Sequence, residues 1–189
     1  MQSLNTENKR DLSVSMLRAN MLALFIMIPV AVLQFSLFTL WNGEGEVSVT
    51  LNLLNLSIFM LIVIASIVVH EFIHGLAWVV FGNMPFSAVQ FGVQWNALTP
   101  FAHLKEPIEV NVYRIGGFMP GFILGILPFV LSIFLKSGSL LWFGVLQTAA
   151  ASGDWLILWL LRNVKRGTLV EDHPSKAGCY VYESDALLP

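Results

Sequence analysis

The stretch His70-Glu71-Phe72-Ile73-His74 decides the reading of this chain. Leu56 to Val69 before it are almost wholly apolar, and so are Gly75 to Phe81 after it. Two imidazoles and a carboxylate therefore stand inside what reads as a membrane-spanning helix, where ionisable groups are costly and by default mark a functional site. Four residues separate His70 from His74, so a helix puts both on one face. Neutral imidazoles so spaced bind one Zn²⁺. Glu71 falls about 60° round the helix from His74, taking roughly 100° per residue. From there its carboxylate can take a proton from water at the metal, which is the chemistry of the H-E-x-x-H pattern.

Working outward, the composition agrees with a bilayer. Of 189 residues, 56% are hydrophobic and 12% charged, and the mean hydropathy is +0.73. The expected fold is an all-α integral membrane bundle, one membrane-embedded domain over residues 1–189. A net charge of -2 gives no sign of a nucleic-acid partner and none is expected, and the single cysteine, Cys179, has no intrachain partner for a disulfide.

Four spans are predicted, at about 19–41, 53–81, 116–135 and 139–161, with a tail at 162–189. The first carries Pro29 as an expected kink. It is too long for the apolar core of a signal peptide and is read as retained. Nine of the ten basic residues fall in the N-terminal segment, the loop between spans two and three, and the tail; Lys136 alone falls on the other side. This bias predicts a multi-pass protein of the cell membrane with both termini and the long loop cytoplasmic. Trp41 and Trp142 then mark the outer interface, and Trp78 and Trp159 the inner one.

A catalytic zinc takes three protein ligands and leaves a position open. Besides the motif, Asp154 is the single ionisable residue in the four spans. His74 precedes Gly82 by eight residues and Asp154 precedes Arg162 by eight. At 1.5 Å per residue both lie roughly 12 Å from the cytoplasmic end. Asp154 is the expected third ligand, with Gly153 and Gly75 allowing close helix approach. Gln147, seven residues earlier on the same face, is a candidate substrate contact or helix–helix glue. His103 and His173 are possible metal contacts from outside the spans, and His103 a possible helper in catalysis. Cys179 is a soft ligand able to fill the open position.

In the long loop, Val89, Phe91, Val93 and Trp95 alternate with Gln90, Gly92 and Gln94. Ile108, Val110 and Val112 alternate with Glu109, Asn111 and Tyr113. Period two predicts strands, with Pro100 and Pro107 breaking the chain between them. A small β-hairpin or sheet in the cytoplasmic loop follows, whose edge can hold an extended peptide or simply cover the pocket. Cys179 to Tyr182 is a further candidate strand.

These residues resemble a bacterial family of small membrane proteins of the zincin peptidase type. The resemblance runs through His70 to Gly75, Pro100-Phe101-Ala102-His103, Glu106-Pro107-Ile108, Tyr113-Arg114, Gly153-Asp154, Asp172-His173-Pro174 and Gly178-Cys179. More widely, His70, Glu71, His74 and Asp154 are similar to the pattern of site-two-protease-like intramembrane metalloproteases. That class has an Asp-Gly pair where this chain has Gly153-Asp154-Trp155.

The expected function is a membrane-embedded zinc metalloendopeptidase. His70, His74 and Asp154 would hold Zn²⁺, and Glu71 would act as general base. Its partners would be a peptide or membrane-protein substrate and the lipid bilayer. Two other classes share these residues: a non-catalytic metal-binding sensor or scaffold, and a small ion transporter.

Overall fold

The computed structural model describes residues 9–47, 52–95 and 99–182. Strand β1 (Lys9–Val14) leads into helix α1 (Met16–Asn42), which Ser15 caps by accepting a hydrogen bond from the Arg18 N–H. Pro29 sits inside α1 without ending it. Helix α2 (Leu53–Gly82) follows, capped by Asn52 at its start and closed by Asn83 in the left-handed region, φ 50°. Its 30 residues give a rod of about 45 Å, longer than the ~30 Å apolar core of a bilayer.

Helix α2 is apolar all round, so its inner face is marked by the few groups that are not. Ser66, His70, His74 and Trp78 recur at every fourth position and are buried with Ile73, Gly75 and Ala77. Leu53, Leu54, Leu61, Ile64 and Val68 on its other faces are exposed. That inverts the amphipathic logic of a helix in water.

Strands β2 (Val89–Gln94) and β3 (Thr99–Leu104) form an antiparallel hairpin, Phe91 facing Ala102. Strand β4 (Ile108–Glu109) runs straight into α3 (Val110–Pro120). A π-helical turn (Gly121–Ile126) joins α3 to α4 (Leu127–Leu135). Helices α5 (Gly138–Ala150) and α6 (Ser152–Leu161) come next, then β5 (Leu169–Asp172) and β6 (Ala177–Tyr182). The second sheet has the order β1-β6-β5-β4.

Among the described residues, three helical segments are long and apolar enough to cross a membrane: Met16–Asn42, Leu53–Gly82 and Val110–Leu135. Helices α5 and α6 make a fourth if their bent pair counts as one span. The fold is thus mostly helical with a small sheet. Both sheets sit at one end of the bundle, where Trp78, Val110, Leu161, Val170, Cys179 and Val181 form a buried core. Phe38, Phe129, Leu141 and Val145 make a second cluster at the other end. The basic segments at 9–18, 105–114 and 162–176 gather at the sheet end, and Lys136 caps α4 at the opposite one.

Three local expectations are corrected, and one strand is new. The span expected over 139–161 is broken at Ala151, where α5 and α6 meet at 44°. The third helix begins at Val110, not 116. Glu109 accepts hydrogen bonds from the N–H groups of Asn111 and Val112, and this cap overrides the period-two pattern of 108–113. Pro100 lies within β3 rather than breaking the chain, because a two-stranded hairpin leaves each strand an edge that needs no donor. Lastly, the polar stretch Lys9–Val14 is a strand, paired with β6 from Lys9↔Tyr182 to Val14↔Ala177. The candidate strand at Cys179–Tyr182 is the end of β6 and belongs to this four-stranded sheet, not to the hairpin.

Candidate metal centre

The α-helical rise brings His70, His74 and Trp78 into one column facing α3 and α6. The imidazoles of His70 and His74 meet edge to face, 5.0 Å between centroids. Trp78 stacks under His74 at 5.5 Å, and Tyr113 under Trp78 at 5.7 Å. This column fixes the imidazole planes from below. Gly116 makes it possible, since a Cβ there would collide with the Trp78 indole.

Asp154, in the first turn of α6, faces both imidazoles. Its Oδ2 lies 3.0 Å from His70 Nε2 and its Oδ1 3.5 Å from His74 Nε2. Nδ1 of His74 donates to the carbonyl of Gly116 at 2.9 Å. A carbonyl only accepts, so the Nδ1 proton is assigned and Nε2 is left to face Asp154. His70, Glu71 and His74 offer ligand-type atoms that all lie within 4.8 Å of one another. Two Nε2 atoms converging on a carboxylate, one imidazole tied through its other nitrogen to a carbonyl, is a donor set that suits zinc.

Glu71, His74 and Asp154 open onto one cavity of about 390 Å³. Its walls come from the start of α1, the inner face of α2, β3, α3, α6 and the β5–β6 turn. Pro100, Phe101, Ala102 and His103 line the same cavity as Glu71, so one edge of β3 runs beside this carboxylate. Asp172 anchors that edge. It accepts from the Leu104 N–H at 3.1 Å and from the Tyr113 hydroxyl at 2.6 Å. His103 lines the cavity with its Nδ1 3.7 Å from Asp172.

The remaining candidates sit elsewhere. Gln147 is buried between α5 and α2, donating to Ser66 Oγ at 2.5 Å, and does not line the cavity. His173 lines the cavity, but its Nδ1 accepts from the N–H groups of Ser175 and Lys176 and its Nε2 meets the Tyr180 hydroxyl. Both its nitrogens are engaged in shaping the β5–β6 turn. Cys179 is fully buried in the core, opposite Leu12 and Asp172. Burial, with the nearby Asp172 and Asp11 carboxylates, pushes its thiol up to about 12, so it stays protonated and unsuited to ligation.

The two glycines have different work from that expected. Gly75 lets a side chain approach, not a helix: a Cβ there would strike the Phe91 ring on β2. Gly153 meets nothing; a Cβ built on it has no atom within 4 Å. Sequence reasoning passed over Tyr113, Gly116 and Asp172 as parts of the site. Trp78 was placed only at the inner interface, although its position four residues after His74 is the signal that could have found it.

Bundle and site together define a helical protein with an H-E-x-x-H group facing a carboxylate from another helix. A family model described as "Putative zincin peptidase" matches residues 63–169, more than half of the chain, and the chain belongs to that family. No curated protein and no solved structure matches it.

Proposed function

We propose that this chain is an integral membrane zinc metallopeptidase that cuts membrane or membrane-associated proteins near the cytoplasmic face. The observation that carries the reading is the convergence of His70 Nε2 and His74 Nε2 on Asp154, with Glu71 in the same cavity. His70, His74 and Asp154 would hold the metal. Zinc supplies a Lewis acid that brings the pKa of water to about 7 and polarises a carbonyl. Glu71 takes the proton of the attacking water and returns it to the leaving amine as the peptide bond breaks. Asp172 keeps β3 in place, so that an extended substrate can lie along its cavity edge beside Glu71 by strand addition.

The hairpin supports a membrane setting. Phe91 stacks on Phe72 at 6.3 Å and on Phe86 at 5.6 Å, level with the motif on α2. Phe72, Phe86, Phe91, Val93 and Trp95 are all exposed. An exposed apolar face of that kind, continuous with a lipid-facing helix, suits the hydrocarbon side of the interface. The resemblance to site-two-protease-like enzymes draws its support from the placement of Asp154.

The decisive comparison is Glu71→Gln, which keeps the shape and removes the base. We expect it to retain about one zinc per chain, as for a mononuclear site, and to lose cleavage of membrane-protein reporters. Cleavage at the wild-type rate by this variant would sink the mechanism.

A further inference from the structure

We propose that the void beside Gly153 is a substrate subsite for one bulky apolar side chain next to the bond that is cut. This inference rests on the metallopeptidase reading and specifies its substrate.

Five of the helix glycines are explained by packing. A Cβ on Gly75, Gly116, Gly121, Gly125 or Gly144 would come within 3.0 Å of a neighbour. Gly153 is different, because no atom lies within 4 Å of the place its Cβ would take. It precedes Asp154 in the chain and lines the same cavity. Ile157, one turn on from Gly153, and Leu158, one turn on from Asp154, continue that face of α6 along the cavity. Ala19 and Ala23 of α1 and Phe101 of β3 bound it from the other sides.

The cavity also carries Asn20, His103, Asp172, Ser175 and Lys176, but its α6 wall beside Gly153 is apolar, and the same cavity reaches Glu71, His74 and Asp154. A peptide lying along β3 points alternate side chains to opposite faces. One of them enters this space from beside Glu71. Leucine or phenylalanine fills it; alanine leaves most of it empty. In an apolar pocket each methylene changes discrimination by about 10–200-fold. Wild-type protein should thus favour Leu or Phe over Ala by at least about tenfold.

The test uses amino-acid hydroxamates of Ala, Leu and Phe, whose binding to the zinc-loaded protein is measured by calorimetry. Wild type is expected to bind the Leu and Phe compounds at least about tenfold tighter than the Ala compound. Gly153→Leu projects its side chain into empty space and should fold and keep its zinc content. It should lose the preference for the Leu and Phe compounds over the Ala compound. Cleavage of single-span reporters with Leu or Ala at the cut site should change in the same direction. If Gly153→Leu keeps the wild-type order and spread, the subsite is wrong while the metallopeptidase reading stands. If zinc-loaded wild type binds no hydroxamate and cuts no reporter, that reading falls and the subsite with it.

Discussion

Pro120 gives His74 its hydrogen-bond acceptor. In an α-helix the carbonyl of Gly116 would receive the N–H of residue 120, but proline has none to give. The carbonyl is left for Nδ1 of His74, 2.9 Å away on the facing helix. A helix-breaking residue in the third apolar segment thereby sets the orientation of an imidazole in the second.

Pro120→Ala restores the missing donor and makes it compete for the Gly116 carbonyl. We expect zinc affinity to fall about 10–100-fold, the usual effect of losing an imidazole's outer partner. Competition against a chromogenic chelator measures this. Unchanged affinity in a folded variant would show that the bond does not orient His74.

His70→Ala and His74→Ala should each remove most of the bound zinc, read by elemental analysis. Asp154→Ala separates a ligand from a partner of the imidazoles. Direct ligation predicts a loss of affinity beyond about 100-fold, whereas orientation alone predicts about 10–100-fold. Asp154→Glu should recover part of the binding, since its carboxylate can still reach the imidazoles.

The thiol of Cys179, held at about 12, is ionised in only about one molecule in ten thousand at pH 8. Maleimide should leave intact membranes unlabelled at this position and react after denaturation. Rapid labelling of the native protein would contradict the buried strand β6.

Two ion pairs hold β1 to the sheet, Lys9 to Glu171 and Lys176 to Asp11, each at 2.8 Å. The side-chain bond from Lys9, with that from the Tyr182 hydroxyl, lowers the Glu171 carboxyl, and the bond from Lys176 lowers that of Asp11. Stability from these depressed carboxylates is present above their unfolded values and lost as pH falls through the folded ones. Their partners run the other way: Lys9 and Lys176 are raised by those carboxylates, so their contribution is lost as pH rises through the folded values. Strand β1 should stay docked from about pH 5 to about pH 10, given ordinary values near 4 and 10.4. Hydrogen exchange of residues 9–14 across pH checks this; protection that persists at pH 2 would rule out the ion pairs as the clamp.

Topology is tested by single cysteines in a Cys179→Ala background. Residues replacing Lys105 and Lys165 should react with an impermeant reagent from the cytoplasmic side, and one replacing Glu46 from the opposite side. Reaction of position 46 from the cytoplasm would overturn the orientation.

Much of this centre is legible in the chain because helices carry their own ruler. The spacing of His70 and His74, and the equal depth of His74 and Asp154, follow from a constant rise per residue. What stayed hidden depends on partners distant in sequence. Lys9–Val14 looks like a polar lead, and only β6, at the other end of the chain, makes it a strand. Val110 and Val112 alternate like a strand, and a side chain one residue earlier turns them into a helix. Gly153 looks like a packing glycine until its neighbours in space are known. Gln147 has a helical position compatible with the site, yet Ser66 occupies its amide.

The pairing of Lys9 with Tyr182 also sets a clock. The first strand leaves the ribosome with nothing to bind until the sixth emerges, roughly 10–35 s later at 5–20 residues per second. A nascent chain of 74 to 153 residues carries both imidazoles but no facing carboxylate, and lacks the β5–β6 turn that walls the cavity. Synthesis therefore delivers the complete centre last.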